Sequence, residues 1–163
     1  YELRSVVENL WNEQIDCVRE VPGATVLFGA LKAEGFKLGV ISNTWHPLFL
    51  GFTKICREIR NFLDFTVLSY RVGMKKPSLE LYRHAVKITG EAAERCWMIG
   101  DTYELDVEPA QSIGMRSIWV LRRPEIERSI VVQMLRGDKR LPDWVSEDIG
   151  EILPFMKRLH VQD

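Results

Sequence analysis

A surplus of either charge is what this sequence most plainly lacks. Its 22 basic and 23 acidic residues leave a net charge of −1, and no run of one sign exceeds a few residues. That balance argues against a basic nucleic-acid face and against a polybasic membrane patch, so neither partner is expected. Cysteine is scarce. Cys17, Cys56 and Cys96 lie far apart with no C-x-x-C spacing, and an odd count fits no disulfide framework. They read as reduced core residues of a cytoplasmic protein. His46, His84 and His160 are isolated, lack metal-ligand spacing and are expected to be structural. No apolar run approaches the roughly 20 residues that span a bilayer, and no signal-peptide pattern stands at the start. Internal repeats and low-complexity linkers are also missing. The sequence opens on Tyr1 rather than Met, and the expectation is that its natural start lies upstream.

What is present suits one compact domain. At 163 residues and 46% hydrophobic, the chain is long enough to bury a continuous core. Leu3, Val6, Val7, Leu10, Trp11, Gln14 and Val18 recur near a period of 3.6, predicting an amphipathic helix over 2–19. A second helix is expected over 24–34, closed by Gly35, followed by a strand over 36–41 that ends in Ser42-Asn43-Thr44. Helix 48–59, strand 62–69 and the turn 73–78 come next, with Ser78 as a cap for helix 79–89. Trp97–Ile99 is a strand, 105–112 a helix carrying Pro109 in its first turns, and 116–121 a buried strand. The last third reads as helix 124–135, a short segment at Trp144-Val145 and helix 149–160. Strands alternating with helices imply βαβ units and a parallel sheet, an α/β fold. The five tryptophans are scattered and are assigned to the core or its edge.

The stretch Cys96–Gly114 delivers two carboxylates, Asp101 and Asp106, into the turn after a strand. Asp106 is expected to open the next helix, where the dipole favours its charge, and Gly100 to leave room for a ligand beside the backbone. Ser42 follows one strand, Lys76 precedes a helix, and Asp101 with Asp106 follows another strand. In a parallel sheet such strand ends meet at one crevice. A hydroxyl, a cation and two acids suit a phosphoryl group and a hard divalent cation such as Mg²⁺.

Here the sequence resembles the haloacid dehalogenase-like (HAD) hydrolase superfamily over nearly all of residues 21–160. Leu38-Gly39-Val40-Ile41-Ser42-Asn43 is similar to its second motif, Lys76-Pro77 with Glu80-Leu81-Tyr82 to its third, and Gly100-Asp101 through Asp106 to its fourth. The resemblance implies a Rossmann-like three-layer α/β/α core with a mostly parallel sheet. Ser42 would bind the transferred phosphoryl group, Lys76 would steady it, Asp101 would ligate Mg²⁺, and Asp106 would assist at the metal or its water. Asn43 and Thr44 are further candidates for substrate binding. Glu104 and Glu108 read as solvated acids. The substrate expected is a small phosphorylated metabolite.

One part of the family pattern is missing. Its first strand ends in Asp-x-Asp, which carries the nucleophile, and no Asp-x-Asp occurs in these 163 residues. Asp64 stands in the wrong place to replace it. Residues 1–20 would then be the last helix of a helical cap, and 21–163 the C-terminal part of the core. A missing mid-sheet strand would hold its neighbours nearly 10 Å apart, twice the usual strand spacing. Three remedies are open: an upstream segment supplies it, another chain supplies it, or the flanking strands close up. An exposed cap helix and an unfilled sheet centre favour a homodimer. The alternative to an Mg²⁺-dependent phosphatase is a catalytically inactive binding or assembly module, and a receiver-like fold is a third reading.

Overall fold

A computed structural model describes residues 2–160, with the side chain of His160 outside the description. The chain divides into two compact units, 1–73 and 74–163.

In the first unit, α1 (Glu2–Asp16) and α2 (Ala24–Ala33) precede β1 (Gly39–Ser42). After β1 come α3 (His46–Ile55), α4 (Arg57–Phe62), β2 (Phe65–Leu68) and the single turn α5 (Ser69–Val72). β1 and β2 run parallel with Gly39 opposite Phe65 and Ser42 opposite Leu68. Gly39 is required there, because a Cβ would fall within 2.1 Å of the Phe65 ring. Val67 and Leu68 are buried with Leu27, Leu31 and Ile59, so α2 and α4 supply apolar residues to the core of this unit. α1 packs on α3 through Gly51, whose missing Cβ admits the Ile15 carbonyl oxygen. None of the residues of α1 is buried, and Leu3, Val6, Val7 and Leu10 are exposed.

The helix expected over 48–59 is two helices. It breaks at Cys56, whose φ of −100° and ψ of 44° leave the helical region without the aid of Gly or Pro. Cys17 is exposed, contrary to the expectation of a core thiol, because Ile15 and Val18 make the contact with α3 at this end of α1; Cys56 is buried, and all three thiols are free.

Asp64 is a structural clasp in this unit. Lys32 Nζ donates to its two oxygens at 2.6 and 2.7 Å, and the Leu38 amide donates to Oδ2 at 2.8 Å. The lysine hydrogen bond first, and the amide second, hold the carboxyl below its ordinary range. A depressed carboxyl contributes stability that is present above its unfolded pKa near ~4 and lost as pH falls through the folded value. The pair is 38% exposed on both sides, so solvent screens much of it. Asp64→Asn is expected to lower the melting temperature at pH 7, and the gap from the native chain should close as pH falls through the depressed carboxyl range. A constant gap down to pH 2, measured by circular dichroism, would discard this role.

The second unit opens with α6 (Leu79–Thr89), ended by Gly90 at φ 71°. Ser78 precedes it, but its side chain makes no capping bond; the Ser78 carbonyl accepts from the Leu81 amide instead. β3 (Trp97–Gly100) then leads through a π-helical turn, Tyr103–Val107, into α7 (Glu108–Ser112). β4 (Arg116–Val120), α8 (Pro124–Leu135), β5 (Trp144–Ser146) and α9 (Ile152–His160) complete the unit.

The sheet order is β3-β4-β5, all parallel. Ile118, Trp119 and Val120 of β4 are buried, and Trp119 packs with Tyr103, Val107 and Ile130. Burying each such side chain is worth roughly 1.5–3 kcal/mol. α9 lays Phe155 against Trp144, 4.5 Å between ring centroids, and against Trp97 at 5.5 Å. Ser117 ties β4 to the segment before β5, its amide donating to Asp143 at 2.8 Å.

All pairings are parallel, as the alternation of strands and helices implies. β1 has β2 as its neighbour and β3 has β4, so among the described residues each lies at the edge of its own sheet. No helix among the described residues is long and apolar enough to cross a membrane.

Candidate active site

In the second unit the structure brings Lys76 and Asp106 together. Lys76 Nζ donates to Asp106 Oδ1 at 2.6 Å, with side chains 15% and 4% exposed. Asp106 Oδ2 accepts from the Thr102 amide at 3.0 Å. Both oxygens of this buried acid are therefore engaged.

The π-helical turn explains how Asp106 gets there. Its wider winding folds the side chain back over the end of β3, where a Cβ on Gly100 would lie 2.3 Å from the Asp106 Cβ. The space beside Gly100 is filled by Asp106 and not by a ligand, which corrects the expectation from the sequence. Asp106 stands in the first turn of the helical run that follows β3, as the sequence predicts, but that run opens as the π-helical turn at Tyr103, and α7 begins two residues after Asp106. π turns of this sort are frequent at functional positions. Tyr82 secures the turn by donating its hydroxyl to the Leu105 carbonyl. Burial first, and the Asp106 charge second, push the Tyr82 phenol far above its ordinary value, so it stays a donor.

Asp101 is placed differently. Its side chain is 44% exposed at the carboxyl end of β3, while its carbonyl accepts from the Trp119 indole at 3.3 Å. Arg123 Nη2 stands 3.4 Å from Asp101 Oδ2 and donates to the Thr102 hydroxyl at 2.9 Å. Arg123 was not among the residues singled out by sequence. The signal for it is Arg122-Arg123-Pro124 directly after β4, a basic pair at the same end of the parallel sheet as Asp101. Glu108, expected to be solvated, is paired with Lys139 Nζ at 2.5 Å.

Among the described residues no group of three or more His, Cys, Asp or Glu side chains is gathered as a metal cage. Mg²⁺ does not require one, since it is commonly held by one or two carboxylates, waters and substrate phosphate. An exposed Asp101 carboxylate fits that demand. Asp106 fits it less directly, because both of its oxygens already accept hydrogen bonds.

Ser42, Asn43 and Thr44 belong to the first unit, at the carboxyl end of β1. Ser42 is half-buried and Asn43 exposed. The Thr44 amide donates to Ser69 Oγ at 3.0 Å, and the Ser69 hydroxyl donates to the Thr44 carbonyl at 2.9 Å. That reciprocal pair fastens the segment after β1 to the segment after β2. Ser69 is a further residue of this rim, and its signal in the sequence is a Ser at the last position of a predicted strand. His46, read as isolated, stands between Trp11 and Tyr70, with ring centroids 5.8 Å away in each case. Trp45 and Trp11 are exposed rather than held in the core.

The chain is similar to glyceraldehyde 3-phosphate phosphatase of Pyrococcus furiosus, 28% identical over 153 residues that cover 93% of this chain and 60% of that protein. The protein of the same name from Methanocaldococcus jannaschii is 32% identical over 153 residues, covering 91% of this chain and 61% of its own. The chain thus spans about three fifths of the length of these relatives. Among solved structures, an HAD phosphatase from Thermococcus onnurineus superposes with a TM-score of 0.72 at 20% identity, over 92% of this chain and 64% of that one, a likeness of fold. The family model described as haloacid dehalogenase-like hydrolase matches residues 2–120, a span that runs from α1 through the Gly100-Asp101 turn to the end of β4. By that match, the chain belongs to the haloacid dehalogenase-like hydrolase family.

Proposed function

We propose that this chain carries phosphate-binding and Mg²⁺-binding residues of a phosphohydrolase acting on a small phosphorylated metabolite in the cytoplasm. The observation that carries the reading is the buried Lys76–Asp106 ion pair, whose acid lies over Gly100 at the end of β3, directly before the exposed acid Asp101. Relatives named as phosphatases of glyceraldehyde 3-phosphate, phosphoserine and phosphoglycolate support the substrate class.

The division of labour follows from the contacts. Asp106 fixes Lys76 Nζ, and the ammonium offsets anionic charge on the phosphoryl group. Asp101 is the metal-binding carboxylate, and Arg123 holds it in place through Thr102 until a cation competes for its oxygens. Mg²⁺, when bound, supplies positive charge to the phosphoryl oxygens. In the first unit the reading assigns a phosphoryl oxygen to the Ser42 hydroxyl, with Asn43 and the fastened Thr44 backbone beside it. Asp106 acts at the metal only through Lys76 and the Thr102 amide. The nucleophile of the family pattern is not among these residues, so their work is to bind and orient. The open edge of β3 suits a further parallel strand from another segment or from a second copy in a homodimer. In this reading residues 1–20 are the end of a cap and 21–163 the core.

The test is phosphate binding by ³¹P NMR with and without Mg²⁺. Binding should strengthen with Mg²⁺, and Asp101→Asn should weaken the Mg²⁺-dependent part about tenfold or more, as loss of a charged hydrogen-bonding partner does. Phosphate binding that ignores both the metal and Asp101 defeats the reading.

A further inference from the structure

Glu127 is a buried acid that the phosphate chemistry does not use. It lies on α8 four residues after Arg123 and three before Ile130, a spacing that sets all three on one face of the helix. Ile130 packs with Tyr103 and Trp119, so that face is the one laid against the turn leaving β3. Glu127 is 5% exposed there, and its carboxylate takes a hydrogen bond from the Tyr103 amide. The acid thus fastens the backbone two residues after Asp101 to α8.

Hydrogen-bonding capacity is left over on both sides of this contact. A carboxylate has about four lone-pair sites, and one amide fills one of them. Arg123 Nη2 donates to the Thr102 hydroxyl at 2.9 Å and stands 3.4 Å from Asp101, whereas Arg123 Nε is buried without an acceptor. Leaving a buried donor or a buried carboxylate short of partners is costly. A spare donor and a spare acceptor therefore stand one helical turn apart, where the Glu127 amide donates to the Arg123 carbonyl at 3.1 Å. The Arg123 charge already acts on the Glu127 carboxyl across that turn.

We propose that Glu127 is a positioning residue for the cation site at Asp101: it is the acceptor to which the Arg123 guanidinium turns when Asp101 is given over to Mg²⁺. The proposal deepens the phosphohydrolase reading and rests on it for the identity of the cation alone. A guanidinium kept beside Asp101 repels a second cation. Moved onto Glu127, its charge is balanced and its Nε gains the acceptor it lacks. Through the Tyr103 amide, Glu127 also keeps the Asp101 end of the turn in place while Arg123 lets go.

Titration of the whole chain with Mg²⁺ by isothermal calorimetry reads this role. Glu127→Gln keeps the shape and an oxygen for the Tyr103 amide, and burial already favours the uncharged form of this carboxyl, so the variant retains the fold. It should bind Mg²⁺ about tenfold more weakly, the scale of a hydrogen bond between charged groups. Arg123→Gln should bind Mg²⁺ more tightly than the native chain. The double variant Arg123→Gln, Glu127→Gln should match Arg123→Gln alone, because without the guanidinium Glu127 has nothing to receive. Where the native chain binds Mg²⁺, an unchanged affinity in Glu127→Gln, or a loss that persists in the Arg123→Gln background, overturns the proposal. Asp101→Asn supplies an arm free of metal, since it takes the same carboxylate charge away from Arg123. There the Arg123 Nε–H proton resonance should move downfield, and it should return in the double variant Asp101→Asn, Glu127→Gln. If the native chain binds no Mg²⁺ but this shift is seen, the exchange between Asp101 and Glu127 stands and the Mg²⁺ reading falls. A resonance that ignores Glu127 overturns the proposal whether or not Mg²⁺ binds.

Discussion

Asp106→Ala is expected to lower stability by about 3–5 kcal/mol, the usual cost of leaving one member of a buried ion pair without its partner. Asp106 is 4% exposed and accepts from Lys76 on one oxygen and from the Thr102 amide on the other. Its removal strips the ammonium of that carboxylate and leaves the Thr102 amide without its acceptor. Asp106→Asn keeps an oxygen for the amide and discards the charge, so its cost should be smaller. The double variant Lys76→Met, Asp106→Leu should be milder than Asp106→Ala, because an apolar replacement of a whole buried pair costs little. Urea unfolding followed by circular dichroism and tryptophan fluorescence reads this order, since Trp97, Trp119 and Trp144 all lie in the same unit. If Asp106→Ala unfolds at the urea concentration of the native chain, the pair is ornamental and Asp106 does not hold the turn.

Gly100→Ala should act on the same structure from the other side. Its added Cβ would stand 2.3 Å from the Asp106 Cβ and 2.4 Å from its Cγ, closer than real side chains approach. Gly100 does not adopt a positive φ, so the backbone itself accepts alanine and the conflict is with the Asp106 side chain. Overpacking of this kind costs roughly 1–3 kcal/mol. Because Asp106 must swing away, the bond to the Thr102 amide is lost too, and Mg²⁺-dependent phosphate binding should fall with it. Placing Gly100→Ala in an Asp106→Gly background removes the clash, so the two changes should couple strongly rather than add. Additive costs in that cycle would locate the conflict elsewhere.

These contacts show what a sequence can and cannot disclose. The bounds of α6 and α8 match their expected ranges because each is punctuated locally, by Gly90 at φ 71° after one and by Pro124 at the start of the other. The parallel alternation and the strand ending at Gly100 were legible for the same reason, as short apolar runs before turn residues. The break at Cys56 carries no Gly or Pro and follows from packing. The π-helical turn is hidden too. Tyr-Glu-Leu-Asp-Val carries no Gly or Pro, and nothing in it marks the wider winding that sets Asp106 over Gly100.

The site was legible as residue types and not as partnerships. Lys76 and Asp106 were both picked out, yet nothing in their separation of 30 positions announces a 2.6 Å contact. Arg123 resembled any solvated arginine at a strand end until the fold set it 3.4 Å from Asp101. Composition assigns the aromatic residues to the core by default, and Trp45 and Trp11 escape it because Trp45 lies in the segment leaving β1 and Trp11 on α1, a helix with no buried residue.

The strand order β3-β4-β5 also sets a hierarchy of protection within the second unit. β4 is laddered on both sides and its residues Ser117 to Val120 are almost sealed from water, so its amides belong to the slowest-exchanging class. β3 has a single ladder, and Asp101 hangs from its end. Asp101 therefore hangs from an edge strand that opens before β4, yet is anchored to β4 by the Trp119 indole on its own carbonyl.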